Sequence, residues 1–179
     1  PVGAQSVDES VDRILDIPEG TRMLLLAPVE LKVGQTPESF LTGLKAAGYV
    51  RLRIDGTTYR LDENPPLDRK KKNRLELVID RITANPEERS RIAQSVEAAF
   101  EAGNGTLLVA RAVDDGHGNP LDEPDWPIDI HSRFLACPEC GQGFRPLEPR
   151  EFSFNSPLGW CEVCDGLGTR TGVEHQALI

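Results

Sequence analysis

The chain contains four cysteines, set near its C-terminus as two Cys-x-x-Cys pairs, Cys137-Pro138-Glu139-Cys140 and Cys161-Glu162-Val163-Cys164. Two residues between paired cysteines let both sulfurs point into one turn, and two such turns supply the four soft ligands of a closed tetrahedral Zn²⁺ site. Gly141 and Gly166 follow the pairs, where a tight turn often needs a positive φ. Two disulfides are the competing reading. Against them stand a chain large enough to build its own core and the lack of a charged-then-apolar opening segment. A redox Cys-x-x-Cys does not need a second, matched pair. The expectation is therefore structural zinc held by Cys137, Cys140, Cys161 and Cys164. Four thiolates leave no open position for water, so Lewis-acid chemistry is not expected there.

At 179 residues the chain is the size of one domain, or of one domain with a small module. It carries no apolar run long enough to span a bilayer. It begins at Pro1 and is read as a fragment of a longer, cytoplasmic protein. Its net charge of −9 argues against a generic polyanion binder, because nucleic-acid affinity rests largely on Lys and Arg contacts to phosphate.

Ser6-Val7-Asp8-Glu9 has the form of a capping box, followed by Val7, Val11, Ile14 and Leu15 at helical spacing. Met23 to Leu26 is a continuous apolar run, expected to be a buried strand ending near Pro28. Thr36-Pro37 starts a second helix, with Phe40, Leu41, Leu44 and Ala47 as its apolar stripe and Gly48 at its end. From Tyr49 to Ile54 the residues alternate: Val50, Leu52 and Ile54 on an expected buried face, Arg51, Arg53 and Asp55 on an expected wet one. Asp55-Gly56 signals a hairpin returning through Thr57 to Leu61. A long connection then carries the basic run Arg69-Lys70-Lys71-Lys72-Asn73-Arg74. A strand over Leu75 to Ile82 leads to Asn85-Pro86-Glu87-Glu88, the start of a third helix bearing Ile92, Val96 and Phe100. Thr106 to Ala112 is a further strand. Residues 113 to 127 read as a turn-rich, acidic, mobile loop. Residues 128 to 179 are assigned to the zinc module. The expected fold is α+β, with about three helices on a mixed, largely antiparallel sheet, residues 1 to 127 with a core over 6 to 112, followed by that module.

The chain lacks a G-x-x-x-x-G-K-[ST] phosphate loop. Its histidines, His117, His131 and His175, stand apart from one another and from any nucleophile signature. Adjacent acids such as Asp114-Asp115 lie in Gly/Pro-rich sequence, where solvated charge is the ordinary outcome. No self-contained active site is expected.

The stretch Leu147-Glu148-Pro149-Arg150-Glu151-Phe152-Ser153-Phe154-Asn155-Ser156-Pro157, followed by Cys161-x-x-Cys164-Asp165-Gly166-Leu167-Gly168, resembles the first-half zinc module of the UvrA family. These are the damage-recognition ATPases of bacterial nucleotide excision repair. Gln5-Ser6-Val7-Asp8, Leu25-Leu26-Ala27-Pro28, Gly48 to Gly56 and Val78-Ile79-Asp80-Arg81 resemble, in order, the family's inserted UvrB-binding domain. The resemblance covers nearly the whole chain. It implies that residues 6 to 112 dock UvrB, that the zinc module leads back into a nucleotide-binding domain, and that ATP and most DNA contact belong to a parent protein, a homodimer. Trp160 and Glu162 depart from the family's usual small residue and proline. They leave the alternative of a divergent paralogue with another partner.

Arg51 and Arg53 are expected to project from the wet face of one strand, and Arg81 from the end of another that neighbours it. Arginine suits a docking site because its planar fork pairs with carboxylates at two points. The resemblance implies the same role for the arginines of Tyr49-Val50-Arg51 and Ile79-Asp80-Arg81. The run Arg69, Lys70, Lys71, Lys72 and Arg74 is a possible electrostatic patch for DNA phosphates or an acidic partner, with plain solvation as the alternative. With the knuckles it gives a second functional reading, a zinc-containing DNA-binding module.

Overall fold

A computed structural model describes residues 4–67, 73–117, 119–136 and 143–144. The chain divides into two units after Phe144. The first holds three helices, α1 (Val7–Leu15), α2 (Pro37–Ala46) and α3 (Arg89–Ala102), and six strands of one sheet. These strands are β1 (Arg22–Val29), β2 (Arg51–Ile54), β3 (Thr57–Arg60), β4 (Leu75–Thr83), β5 (Thr106–Arg111) and β6 (Ile128–Ser132). Their order is β3-β2-β4-β1-β5-β6, and every pairing is antiparallel. The fold is α+β, as the sequence predicts. A separate two-stranded pairing joins β7 (Leu135–Ala136) to β8 (Gly143–Phe144).

Local chemistry fixes the element ends. The Ser6 hydroxyl accepts from the Glu9 amide at 3.1 Å, and the Glu9 carboxylate accepts from the Ser6 amide at 2.8 Å. This satisfies two of the orphan donors of α1. Thr36 caps α2, Pro37 stands in its first turn, and Gly48 takes φ +88 just past its end. The third helix begins as a 3₁₀ turn over Pro86–Glu88 before becoming α-helical at Arg89. Asp55 and Gly56, at φ +50 and +91, make the β2–β3 connection a turn of the I′ kind, whose twist matches that of the strands.

β1 runs through Pro28 to Val29, beyond its expected end. Its pairing with β5 stops at Leu26, so Pro28 sits where β1 has a neighbour on one side only, a place that tolerates proline.

The helices cover one face of the sheet. Under α1 and α3 lie Met23, Leu25, Ile82, Leu107 and Val109, packed with Val11, Ile14, Ile92, Val96 and Phe100. Under α2 lie Ala27, Leu52, Ile54, Leu75 and Leu77, packed with Phe40 and Leu41. Ile79 packs against both groups, next to a register shift between Leu25 and Leu26. The opposite face, called the back face below, carries Leu24, Leu26, Val78 and Ala110, and no helix residue belongs to this cluster. Its cover is Trp126 with Leu108 and Ile128.

Two expectations change here. Residues 128–132 pair with β5 from Thr106↔Ser132 to Ala110↔Ile128, so they belong to the sheet instead of heading the C-terminal module. Residues 121–126, expected in a mobile loop, fold across the back face. There the Trp126 indole donates to the Leu121 carbonyl at 3.0 Å and packs on the Leu24–Leu26–Val78–Ala110 cluster.

Candidate functional site

The back face divides into a covered half and an open half, and the arginines divide with it. β2 and β4 are hydrogen-bonded neighbours, with Leu52 opposite Leu77, Arg53 opposite Glu76 and Ile54 opposite Leu75. This adjacency is the one the sequence suggests.

Arg53 corrects the expectation of a wet-face arginine: it is 0% exposed. Its Nη1 donates to Glu76 Oε2 at 2.7 Å, its Nε to the Gly56 carbonyl at 3.0 Å, and its Nη2 to the Glu123 carbonyl at 2.9 Å. Glu123 Oε1 lies 3.5 Å from Nε and also accepts the Thr58 hydroxyl. A buried guanidinium is tolerable only when its fork is filled this way. The cover is local chemistry as well: Gly56 has no side chain, and a Cβ built there would stand 3.0 Å from Pro124 Cα. The 3₁₀ turn Glu123–Asp125 therefore seats directly on the hairpin. Glu76, itself 0% exposed, turns its second oxygen to Arg74, whose Nε is 3.0 Å away. The Arg74 amide donates to Asp55 at 2.9 Å. Arg74 is thus committed within the fold, while Arg69, Lys70, Lys71 and Lys72 lie outside the described residues.

Arg51 and Arg81 take the open half. Together with Gly48, Tyr49, Val50, Val78, Ile79 and Asp80 they line one cleft of about 260 Å³. Arg51 is half-buried and Arg81 exposed. Among the described residues neither guanidinium is in an ion pair. The nearby carboxylate does not neutralise them, because Asp80 faces α3, accepting from Ser95 Oγ at 2.8 Å and Arg91 Nη2 at 3.2 Å. Val50, expected in the core, is 50% exposed. It precedes the first residue of β2 and stands at the rim of this cleft. Two uncompensated cations on an apolar floor can receive carboxylates flanking an apolar side chain. They supply no nucleophile or general base.

A second cleft, of about 390 Å³, lies at the other edge of the sheet between the end of α1 and β6. It holds His131, which is 4% exposed, and the charges around it are Arg13, Asp16, Arg111 and Asp129. Arg111 is paired to Asp129 at 2.8 Å. Burial, reinforced by Arg13, pushes the His131 pKa down to about 4, so the ring is neutral near pH 7. No local signal marks it, since Ile-Asp-Ile-His alternates as though its polar residues faced water.

No group of three or more His, Cys, Asp or Glu side chains placed to hold a metal occurs among the described residues. The four cysteines lie outside them. β7 and β8 flank the first Cys-x-x-Cys in sequence. No helix among the described residues is long and apolar enough to cross a membrane.

Comparison with known proteins adds two findings. A family described as the UvrA interaction domain matches residues 5–113. UvrABC system protein A of Vibrio parahaemolyticus is 41% identical over 179 residues, and that of Escherichia coli K12 is 40% identical over the same length. The Lactococcus lactis protein of that name is 42% identical over 178 residues, 99% of this chain. The chain spans 18% of the length of each.

Proposed function

This chain belongs to the UvrA interaction-domain family, and from that membership we propose that it is the part of a UvrA protein of bacterial nucleotide excision repair that docks UvrB. The observation that carries the reading is the cleft in which Arg51 and Arg81, residues of different strands, stand together, neither in an ion pair among the described residues. A partner that brings carboxylates to both would gain two charge-assisted, fork-like contacts. ATP hydrolysis, the bulk of DNA binding and dimerisation are assigned to the rest of the parent protein, and the fragment itself is read as non-catalytic.

Calorimetry of the chain with UvrB of the same organism tests this. Micromolar or tighter binding is expected, weakened more than about tenfold, roughly 1.4 kcal/mol, by either Arg51→Ala or Arg81→Ala. Tight binding indifferent to both substitutions would move the interface elsewhere. A folded chain that does not bind would point to a paralogue with another partner. Arg53 is dropped from the contact set, since no partner reaches a side chain buried on every side.

Cys137, Cys140, Cys161 and Cys164 are proposed as the ligands of one structural Zn²⁺. The support is the donor set itself, four thiols in two matched pairs. One equivalent of bound zinc, lost in Cys137→Ser, is the expected outcome. The six-stranded sheet should keep its unfolding midpoint after chelation, and its collapse would show that the sheet itself depends on the metal.

A further inference from the structure

The cover of the back face ends where the arginine cleft begins, and its last residue is an aromatic. Residues 121–126 are fastened by Arg53 Nη2 to the Glu123 carbonyl and by the seating of Pro124 on Gly56. They deliver Trp126 onto Leu24, Leu26, Val78 and Ala110. Two of these residues tie the strap to the docking cleft, one by lining it and one by pairing with a residue that does. Val78 is part of its lining, and Leu24 is the cross-strand partner of Arg81. Trp126 is only half-buried. Its one polar atom already donates to Leu121, so what it offers outward is apolar ring. Asp122 and Asp125, both exposed, precede it in the strap.

We propose, resting on the docking reading above, that the UvrB-binding face extends from Arg51 and Arg81 across Val78 onto Trp126. UvrB then sets an apolar side chain against the indole while its carboxylates meet the guanidiniums. Asp122 and Asp125, on the strap before the indole, repel those carboxylates, so the partner docks in one orientation only. Tryptophan beside arginine is the composition of an interface centre, where a few desolvated anchors carry most of the energy. Arg53 is the positioning residue: it touches no partner and acts by holding the strap at the cleft edge.

Hydroxyl-radical footprinting of the whole chain, read by mass spectrometry with and without saturating UvrB, tests this beside calorimetry. Trp126 oxidation should fall by about threefold on binding, as expected for an anchor that becomes desolvated. Oxidation of Phe134, 45% exposed and packed over Gly105 away from the cleft, should not change. Trp126→Ala should weaken binding about fivefold, and Trp126→Phe less than about twofold. The double variant Arg53→Met/Glu76→Leu, which removes the buried pair together, should stay folded. It should leave Trp126 oxidised faster in the free chain and bind UvrB more weakly. Calorimetric binding with Trp126 oxidation unchanged would overturn the extension and leave the Arg51–Arg81 site standing. Absence of binding by the unaltered chain would overturn the docking reading and this inference with it. Should Trp126→Ala fail to fold, the footprint of the unaltered chain decides.

Discussion

Arg51 and Arg53 leave the same strand on the same face, two residues apart, and have opposite surroundings. One borders a cleft and is in no ion pair among the described residues. The other is sealed beneath residues 121–126 with three hydrogen bonds to its guanidinium. Period-two alternation assigns a side chain to a side of the sheet. Whether that side is wet depends on what the chain lays over it, and here the cover arrives from 70 residues downstream. The two arginines therefore have different work: Arg53 builds the fold and Arg51 is left for something outside it.

Substitutions should separate these roles. Arg53→Met strands the buried Glu76 carboxylate, with only half-exposed Arg74 left to it. It should cost about 3 kcal/mol in urea unfolding of the chain, and adding Glu76→Leu should restore most of that loss. A loss under about 0.5 kcal/mol would mean that the pair is not sealed from water. At the far edge of the sheet, His131 gives a second measure of buried polarity. Its folded pKa, near 4, lies below the unfolded value of about 6.5. The unfolded chain therefore binds the extra proton between these values, and stability falls as pH drops from about 6.5 toward 4. Up to about 3 kcal/mol is at stake across that window. In His131→Gln this part of the acid slope should vanish, and an unchanged slope would assign it to other groups.

Gly56→Ala tests the seat of the strap. A left-handed backbone and a Cβ against Pro124 should together cost about 2 kcal/mol, and a neutral result would mean the turn relaxes freely. Arg51→Ala and Arg81→Ala should change unfolding by no more than about 0.5 kcal/mol, the ordinary effect of a substitution outside the core that breaks no ion pair among the described residues. A larger loss in either would erase the contrast with Arg53.

Much of the architecture was legible because it rests on short-range chemistry. Ser6 and Glu9 cap, Pro37 opens a helix, Asp55-Gly56 turns a hairpin, and Ile92, Val96 and Phe100 mark one stripe. Each is a decision made within a few residues. What escaped depends on distant partners. Ile128–Ser132 is a strand whose polar alternates, Asp129 and His131, sit on the helix-covered side, so its pattern carries the wrong sign for a sheet edge. Residues 113–127 have the composition of a loop, and only Trp126 hints that the segment has a surface to cover. Of the candidate contacts, Arg51 and Arg81 could be paired from sequence because their strands turned out to be neighbours. Arg53 could not be told apart from them, since the residues that bury it give no local sign.

The double membership of Ile79 has a bearing on motion. The helix-covered side holds two apolar groups that meet at this residue, beside the shift in register; α1 and α3 cover the first and α2 the second, which Ala102 at the end of α3 also reaches. Cooperative units of a fold commonly part along such a seam. Amides of α2 and β3 should then exchange with solvent through an opening cheaper than global unfolding, while those of β1 and α3 wait for the whole sheet to come apart. Arg51 rides on the part that opens early and Arg81 on a strand shared by both.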